Sequence, residues 1–375
     1  MKKILFTIPN FDTAGSGKAL LNLASGLNSK IFEPHIACLH DKGDFFQVVK
    51  KSGIPVYVFD YLSPARPIDK LLKNSWQVSR KLKKINPDLI HSFHYSADYT
   101  EAISARLAGI PWIFTKKNMS WGGSSKRAWT LRSSLAKGII VQNTDMINLF
   151  YSHHKNIQLI PRGVDVQKFG SKEGDLTIRE QMRTASDDRV IICVANFVPV
   201  KGIEILLQAF EALTQEFPNW KLWLVGDNEN EYGRTLSKWV KVHNLEAKVR
   251  FSGKQAEVCG FLDHSEIFVL PTLDEGRREG SPVALLEAMA NGKVVIGSAI
   301  SGIKDQLKKY PNHLFKPGDW FSLAGKLKTF MNASVKSNKR LGQTFIELAE
   351  NEFSIEKEIL KHEAFYERMI YKSKS

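Results

Sequence analysis

The chain has 375 residues, 53 Lys+Arg against 39 Asp+Glu, and a formal charge of +14. That length fits about two domains, and a composition 43% hydrophobic and 25% charged excludes a disordered or fibrous chain. The charge is uneven: residues 1–170 hold 24 basic and 11 acidic side chains, residues 171–375 hold 29 and 28, which is not the pattern of a uniformly basic nucleic-acid binder.

The first apolar run, Ile4–Ile8, reads as a buried strand. Pro9, Asn10 and Asp12 end it too early for the apolar core of a secretory leader, and no clean cleavage site follows. Thr13-Ala14-Gly15-Ser16-Gly17-Lys18-Ala19 comes next and opens a helix over Lys18–Leu27. It fails both phosphate-loop patterns. A P-loop needs Gly at 12 and Ser or Thr at 19, where Asp12 and Ala19 stand, and a dinucleotide fingerprint needs Gly where Leu20 stands. Two readings remain: a tight strand-to-helix turn, or a loop whose Gly15 and Gly17 let backbone N–H groups approach an anion.

Further strands are predicted at His35–His40, Val56–Phe59, Leu89–Ser92, Trp112–Thr115, Gly138–Gln142 and Ile157–Pro161, with amphipathic segments between most of them. Continuous apolar runs of this length suit strands covered on both faces. Asp165–Asp188 is polar and loosely patterned, a linker with a small helix. The alternation then restarts with strand Val190–Ala195, helix Ile203–Phe217, strand Lys221–Val225, helix Arg234–His243 and strand Val249–Ser252. Ile267–Pro271, Pro282–Asn291 and Val294–Gly297 give strand, helix, strand, and Ile355–Tyr371 is a charged helical tail. The pattern predicts two doubly wound α/β domains that bind ligands at the carboxyl ends of their strands, most naturally in a cleft between them.

Cys38, Cys193 and Cys259 are odd in number and far apart, with no Cys-x-x-Cys. That argues against a disulfide framework or a thiolate metal site and fits a reducing compartment. No stretch approaches the roughly 20 apolar residues that span a bilayer.

Glu279-Gly280-Ser281-Pro282-Val283-Ala284-Leu285-Leu286-Glu287-Ala288-Met289-Ala290 carries the most information. Pro282 suits a first helical turn. Glu279, Gly280 and Ser281 then lie just ahead of the helix and Glu287 along it. Each carboxylate accepts two hydroxyl hydrogen bonds, and backbone N–H groups between them face a negative group. A sugar, a ribose and a diphosphate bound together fit that set.

At this segment the chain resembles glycosyltransferase family 4, the retaining nucleotide-sugar transferases of the GT-B fold. A Glu-x7-Glu spacing alone is common; Gly280, Pro282, Leu286, Ala288 and Gly292 around it make it specific. Ile160-Pro161-Arg162-Gly163-Val164-Asp165 resembles the family's Asn-Gly-Val-Asp turn, with Arg162 for Asn. Val200-Lys201-Gly202-Ile203 is similar to its Lys-Gly segment and Leu224-Val225-Gly226-Asp227 to its Val-Gly-Asp. Ile296-Gly297 through Ser301-Gly302-Ile303 is similar to the stretch after the second Glu. The likeness covers nearly the whole chain, most firmly residues 190–305.

The resemblance implies a GT-B enzyme of two Rossmann-like domains facing across a cleft. An acceptor-binding domain would span 1–168 and a nucleotide-sugar-binding domain 169–354, with the terminal helix of 355–375 returning to the first. It implies that Glu279 binds donor-sugar hydroxyls, that Glu287 holds the ribose hydroxyls, and that Lys201 pairs with the diphosphate as charge develops. Gly280 and Ser281 would add backbone donors, and Gly15 and Gly17 would let the first loop approach donor or acceptor. Where the family often has Gly-Arg, Ala195 and Asn196 stand, so one diphosphate cation is missing; Lys201 acts alone or with Arg162, Arg277 or Arg278. Glu275 is the less suitable first Glu, because it breaks the spacing and the Pro position. Lys117 fills the slot where many relatives carry a His.

His91 and His94 end the fourth strand. As a metal pair they would point to opposite faces, so His91 is either a polar residue lining the cleft or a satisfied structural histidine. Asp227, Glu229 and Glu231 read as a solvated acidic loop rather than a metal site, and no Asp-x-Asp clamp occurs; metal independence is implied by the family. Two basic stretches hold the charge excess. Residues 66–84 carry seven cations against Asp69, with Leu71, Leu72, Trp76 and Leu82 interleaved. Residues 116–137 carry Lys116, Lys117, Lys126, Arg127, Arg132 and Lys137 with Trp121, Trp129 and no acid. Both are candidates to lie on an anionic membrane, against the plainer reading of a solvated face.

The combined expectation is a retaining, metal-independent hexosyltransferase with no cofactor beyond its nucleotide-sugar donor, a UDP-sugar before a GDP-sugar. The acceptor would be a glycan or polyprenyl-linked hydroxyl in bacterial surface polysaccharide or lipopolysaccharide synthesis. The protein would be cytoplasmic, peripheral at the inner face of the cytoplasmic membrane, and would bind no nucleic acid. A nucleotide-sugar epimerase of GT-B-like fold and a basic nucleic-acid-binding protein remain as alternatives.

Overall fold

A computed structural model describes residues 1–12, 14–121, 125–170, 176–275 and 279–371. The chain divides into two compact units, Met1–Pro161 with the segment from Glu356 onward, and Arg162–Ile355.

The first unit carries strands β1 (Lys2–Thr7), β2 (Phe32–Cys38), β3 (Val56–Val58), β4 (Leu89–Ser92), β5 (Trp112–Lys116), β6 (Gly138–Val141) and β7 (Ile157–Leu159). They form one parallel sheet in the order β3-β2-β1-β4-β5-β6-β7. Its helices are α1 (Ala14–Gly26), α2 (Asp44–Lys51), α3 (Ile68–Ile85), α4 (Thr100–Ala108), α5 (Lys126–Leu135) and α6 (Thr144–Phe150). Successive side chains on a strand point to opposite faces. Ile4, Phe6 and Ile8 therefore enter one core cluster and Leu5 the other, so both faces are covered and the strands read as unbroken apolar runs.

The second unit carries helices α7 (Val166–Phe169) and α8 (Leu176–Gln181), then strands β8 (Arg189–Val194), β9 (Trp220–Val225), β10 (Val249–Phe251), β11 (Ile267–Leu270), β12 (Val294–Ser298) and β13 (Leu314–Phe315). These strands also pair in parallel, in the order β10-β9-β8-β11-β12-β13. Between and after them run α9 (Ile203–Glu211), α10 (Glu231–Val242), α11 (Cys259–Asp263), α12 (Val283–Ala290), α13 (Ile303–Gln306), α14 (Trp320–Asn332) and α15 (Val335–Glu352). The last helix, α16 (Ile355–Tyr371), brings Phe365, Tyr366, Met369 and Ile370 into the core of the first unit. A Cβ on Gly138 would lie 2.6 Å from the Phe365 ring, so the glycine lets α16 lie close against β6.

The join between units falls at 161/162, seven residues before the expected 168/169 boundary. Val164 bridges to Ser354, Val164 and Phe169 enter a second-unit core cluster, and Asp165 caps α7 by accepting from the Lys168 N–H at 2.9 Å. Helix α1 starts at Ala14 and takes the glycine segment into its first turn, and α9 stops at Glu211, short of the expected Phe217. Helices α14 and α15 occupy a stretch for which no element was predicted.

Candidate functional site

In the second unit the strand order reverses between β8 and β11, which pair directly. Ligands of doubly wound sheets bind at such a switch point, outside the carboxyl ends of the strands. The chain leaving β8 makes a 3-10 turn at Pro199–Lys201 and passes through Gly202 at φ +60°. A Cβ there would sit 2.4 Å from the Pro271 carbonyl oxygen and 3.1 Å from Leu273, so this turn closes only with glycine. The Leu273 N–H donates to the Val200 carbonyl at 2.8 Å, joining the loops after β8 and β11.

That junction puts Lys201 in hydrogen-bonded ion contact with Glu279. Their side chains are 18% and 20% exposed. Burial pushes the Lys201 ammonium down to about 8; the Glu279 carboxylate touching it works in the opposite direction and favours the charged form. A cation and a carboxylate thus share the mouth of the switch point.

Pro282 is the N-cap of α12, one position ahead of the expected first turn, and no side chain caps the helix. Ser281 is anchored rather than presented: its hydroxyl accepts from the Arg162 N–H and from the Gln306 side-chain amide, each at 3.1 Å. Gln306 also donates to the Pro282 carbonyl at 3.2 Å. These bonds bring Arg162 to the Glu279–Pro282 loop from 119 residues away. Gly302, at φ +82°, is packed so that a Cβ would meet the Gly280 oxygen at 2.6 Å. Glu287 lies half-buried one turn into α12. Asn196 is exposed just beyond β8, and Arg277 and Arg278 lie outside the described residues.

One support had no sequence signal. The Tyr232 hydroxyl accepts from the Ile203 N–H at 3.1 Å and donates to the Glu204 carboxylate, bracing the start of α9 directly after Lys201-Gly202. The acidic loop is organised internally. The Asp227 carboxylate accepts from the Glu229 N–H at 3.0 Å, and Asn230 caps α10 while donating to the Phe197 carbonyl. Among the described residues no group of three or more His, Cys, Asp or Glu is placed to hold a metal.

In the first unit, Lys117 donates to the Phe93 carbonyl and lies 3.4 Å from the Ser16 hydroxyl. It therefore sits beside the first turn of α1. Gly15 is exposed and a Cβ there would meet nothing, whereas a Cβ on Gly17 would lie 2.8 Å from the Phe11 ring. Packing alone accounts for Gly17. His91 is corrected: it is fully buried, with Nδ1 2.7 Å from the Tyr366 hydroxyl and Nε2 2.7 Å from the Thr115 hydroxyl. Burial holds it neutral, well below its usual range. It is a satisfied core histidine, because α16 covers the sheet face that an unpartnered strand would leave open.

In the second basic stretch the surface reading fails for two of its six cations, while Lys126 and Arg127 stay exposed. Lys116 and Arg132 are buried, as is Trp129. The Lys116 ammonium lies 3.8 Å from the centre of the Trp129 ring, and the Arg132 guanidinium 4.8 Å from the rings of Trp112 and Phe114. These cations are internal supports stacked on aromatic faces, not a surface patch.

Residues 13–168 match the family model described as Glycosyltransferase Family 4, and residues 175–347 that described as Glycosyl transferases group 1. An uncharacterized glycosyltransferase of Haemophilus influenzae is 25% identical over 317 residues, 83% of this chain and 85% of that protein. The UDP-Gal:alpha-D-GlcNAc-diphosphoundecaprenol alpha-1,3-galactosyltransferase of Escherichia coli is 25% identical over 285 residues, 71% of this chain and 70% of that protein. The crystal structure of Anabaena HepE in complex with UDP superposes with a TM-score of 0.83 at 19% identity, covering 98% of this chain and 100% of that one.

Proposed function

The chain belongs to glycosyltransferase family 4, and from that footing we propose that it moves a hexose from a UDP-sugar to a hydroxyl of a glycan or polyprenyl-linked acceptor. The transfer proceeds with retention and without a metal, in the assembly of surface polysaccharide or lipopolysaccharide. The contact of Lys201 with Glu279 at the β8/β11 switch point carries the reading. The UDP complex of HepE and the UDP-Gal named for the E. coli relative favour uridine over guanosine.

The acceptor hydroxyl attacks the anomeric carbon on the face the nucleotide leaves. The new C–O bond forms as the bond to the diphosphate breaks, and the departing oxygen takes the hydroxyl proton. No protein base is needed. Lys201 meets the charge developing on that oxygen, with Arg162 as the second cation in place of the Arg replaced by Asn196. Before the donor binds, Glu279 pairs with the ammonium; with the donor in place its carboxylate turns to the sugar hydroxyls. Glu287 takes the ribose hydroxyls and the backbone of Gly280 and Ser281 faces the diphosphate. The first unit takes the acceptor near Lys117, Gly15 and the start of α1.

No helix of the described residues is long and apolar enough to cross a membrane; we place the protein at the cytoplasmic face of one. Thermal shift with UDP, GDP and ADP tests the site. UDP stabilises the wild type and Glu287→Ala abolishes the shift; no shift with any nucleotide, or a shift that survives Glu287→Ala, defeats the reading. The anomeric configuration of the product, read by NMR, tests retention.

A further inference from the structure

Helix α3 leaves an apolar ridge in water. Ile68, Leu72 and Trp76 are 69%, 56% and 55% exposed, and their four-residue spacing lines them along one flank. The inward face of the helix is occupied separately, by Leu71, Val78, Leu82 and Ile85 among others, so the ridge is no part of the core. Residues 66–84 add seven exposed cations, with Asp69 the one acid among them. The Arg80 guanidinium lies 5.1 Å from the centre of the Trp76 ring, which joins cation and ridge.

We propose that α3 is the element by which this protein rests on an anionic lipid surface. Ile68, Leu72 and Trp76 enter the boundary between headgroups and acyl chains, and Lys73, Arg80 and Lys83, on the same side of the helix, lie over lipid phosphates. The proposal deepens the membrane placement above and rests on it. Two observations choose lipid over other occupants. Paired copies of α3 would set seven cations against seven across a self-complementary contact. A nucleic-acid backbone would satisfy the cations and leave two exposed aliphatic side chains in water, whereas a lipid boundary satisfies both.

Co-sedimentation with vesicles tests it, using phosphatidylcholine alone and phosphatidylcholine mixed with phosphatidylglycerol. Wild-type protein binds the mixed vesicles, less so as salt rises. Leu72→Asp and the double variant Lys73→Glu/Arg80→Glu each weaken binding at least about tenfold, while the UDP-dependent thermal shift is unchanged. Lys126→Glu/Arg127→Glu on α5 changes little. No wild-type binding defeats the membrane placement itself. Wild-type binding that both α3 variants retain defeats the assignment to α3 alone. A dimer that Leu72→Asp converts to monomer, or RNA binding lost only in the charge variant, assigns the face to a second copy or to nucleic acid and overturns the proposal.

Discussion

Nδ1 of His91 and the hydroxyl of Tyr366 lie 2.7 Å apart, although 275 residues separate them. The bond crosses from β4 to α16 inside a wholly buried cluster. Tyr366→Phe leaves the ring nitrogen unpaired and costs about 1–3 kcal/mol. Thermal unfolding checks this: the first unit melts earlier while the UDP-dependent shift of the second unit persists. An unchanged melting temperature would show that the bond contributes nothing.

Activity should fall on the alkaline side. Burial pushes Lys201 down to about 8, and only its protonated form stabilises the leaving diphosphate. kcat/KM, which reports on free enzyme, is therefore full at neutral pH and declines as pH rises through about 8. Lys201→Arg keeps a charged group throughout and removes the decline, at lower activity because the fork is larger than the ammonium. Lys201→Ala lowers kcat by about 10²–10³. A wild-type profile without the alkaline fall takes Lys201 out of this role.

Three glycines separate packing from ligand contact. Gly202→Ala puts a methyl 2.4 Å from the Pro271 oxygen at φ +60°; it costs about 1–3 kcal/mol and weakens UDP binding by displacing Lys201. Gly17→Ala drives a methyl into Phe11 and destabilises the first unit. Gly15→Ala meets nothing and in a helix gains about 0.5–1 kcal/mol. If Gly15→Ala lowers activity without lowering stability, its backbone approaches a substrate; full activity assigns it to the turn alone.

Tyr232→Phe removes the brace on the start of α9. The Ile203 N–H loses its partner and Lys201 loses a fixed base, so kcat falls roughly tenfold with KM little changed. Steady-state kinetics with UDP-sugar varied at saturating acceptor decide it. A change confined to KM would mean that Tyr232 acts on donor binding instead.

The central strands were legible because they are apolar runs covered on both sides, as Val190–Ala195 and Gly138–Gln142 are, whereas the two-residue β13 carried no such signal. Glu279 and Glu287 were legible because both belong to one loop-and-helix segment. The contact of Lys201 with Glu279 was not, since it depends on two loops meeting at a switch point 78 residues apart. His91 was ambiguous for a similar reason: a strand-end position does not say which face is covered, and its cover arrives at Tyr366. Within the second basic stretch Lys116 and Arg132 misled, because they look like surface charge in sequence, yet aromatic rings and buried carbonyls hold them inside. Residues 66–84 differ in that their aromatic partner, Trp76, stays exposed.

The last helix has a consequence for synthesis. Phe365, Tyr366, Met369 and Ile370 close a core begun by Ile4, Phe6 and the α1 residues Leu20 and Leu23, so the first unit emerges from the ribosome with part of one sheet face uncovered. At about 5–20 residues per second, roughly 10–40 s pass between the emergence of Pro161 and that of α16. The later-made unit, continuous from Arg162 to Ile355, has all its parts first. Folding therefore reaches completion in the reverse of the usual amino-to-carboxyl order, and the nascent first unit is the segment that a chaperone would meet.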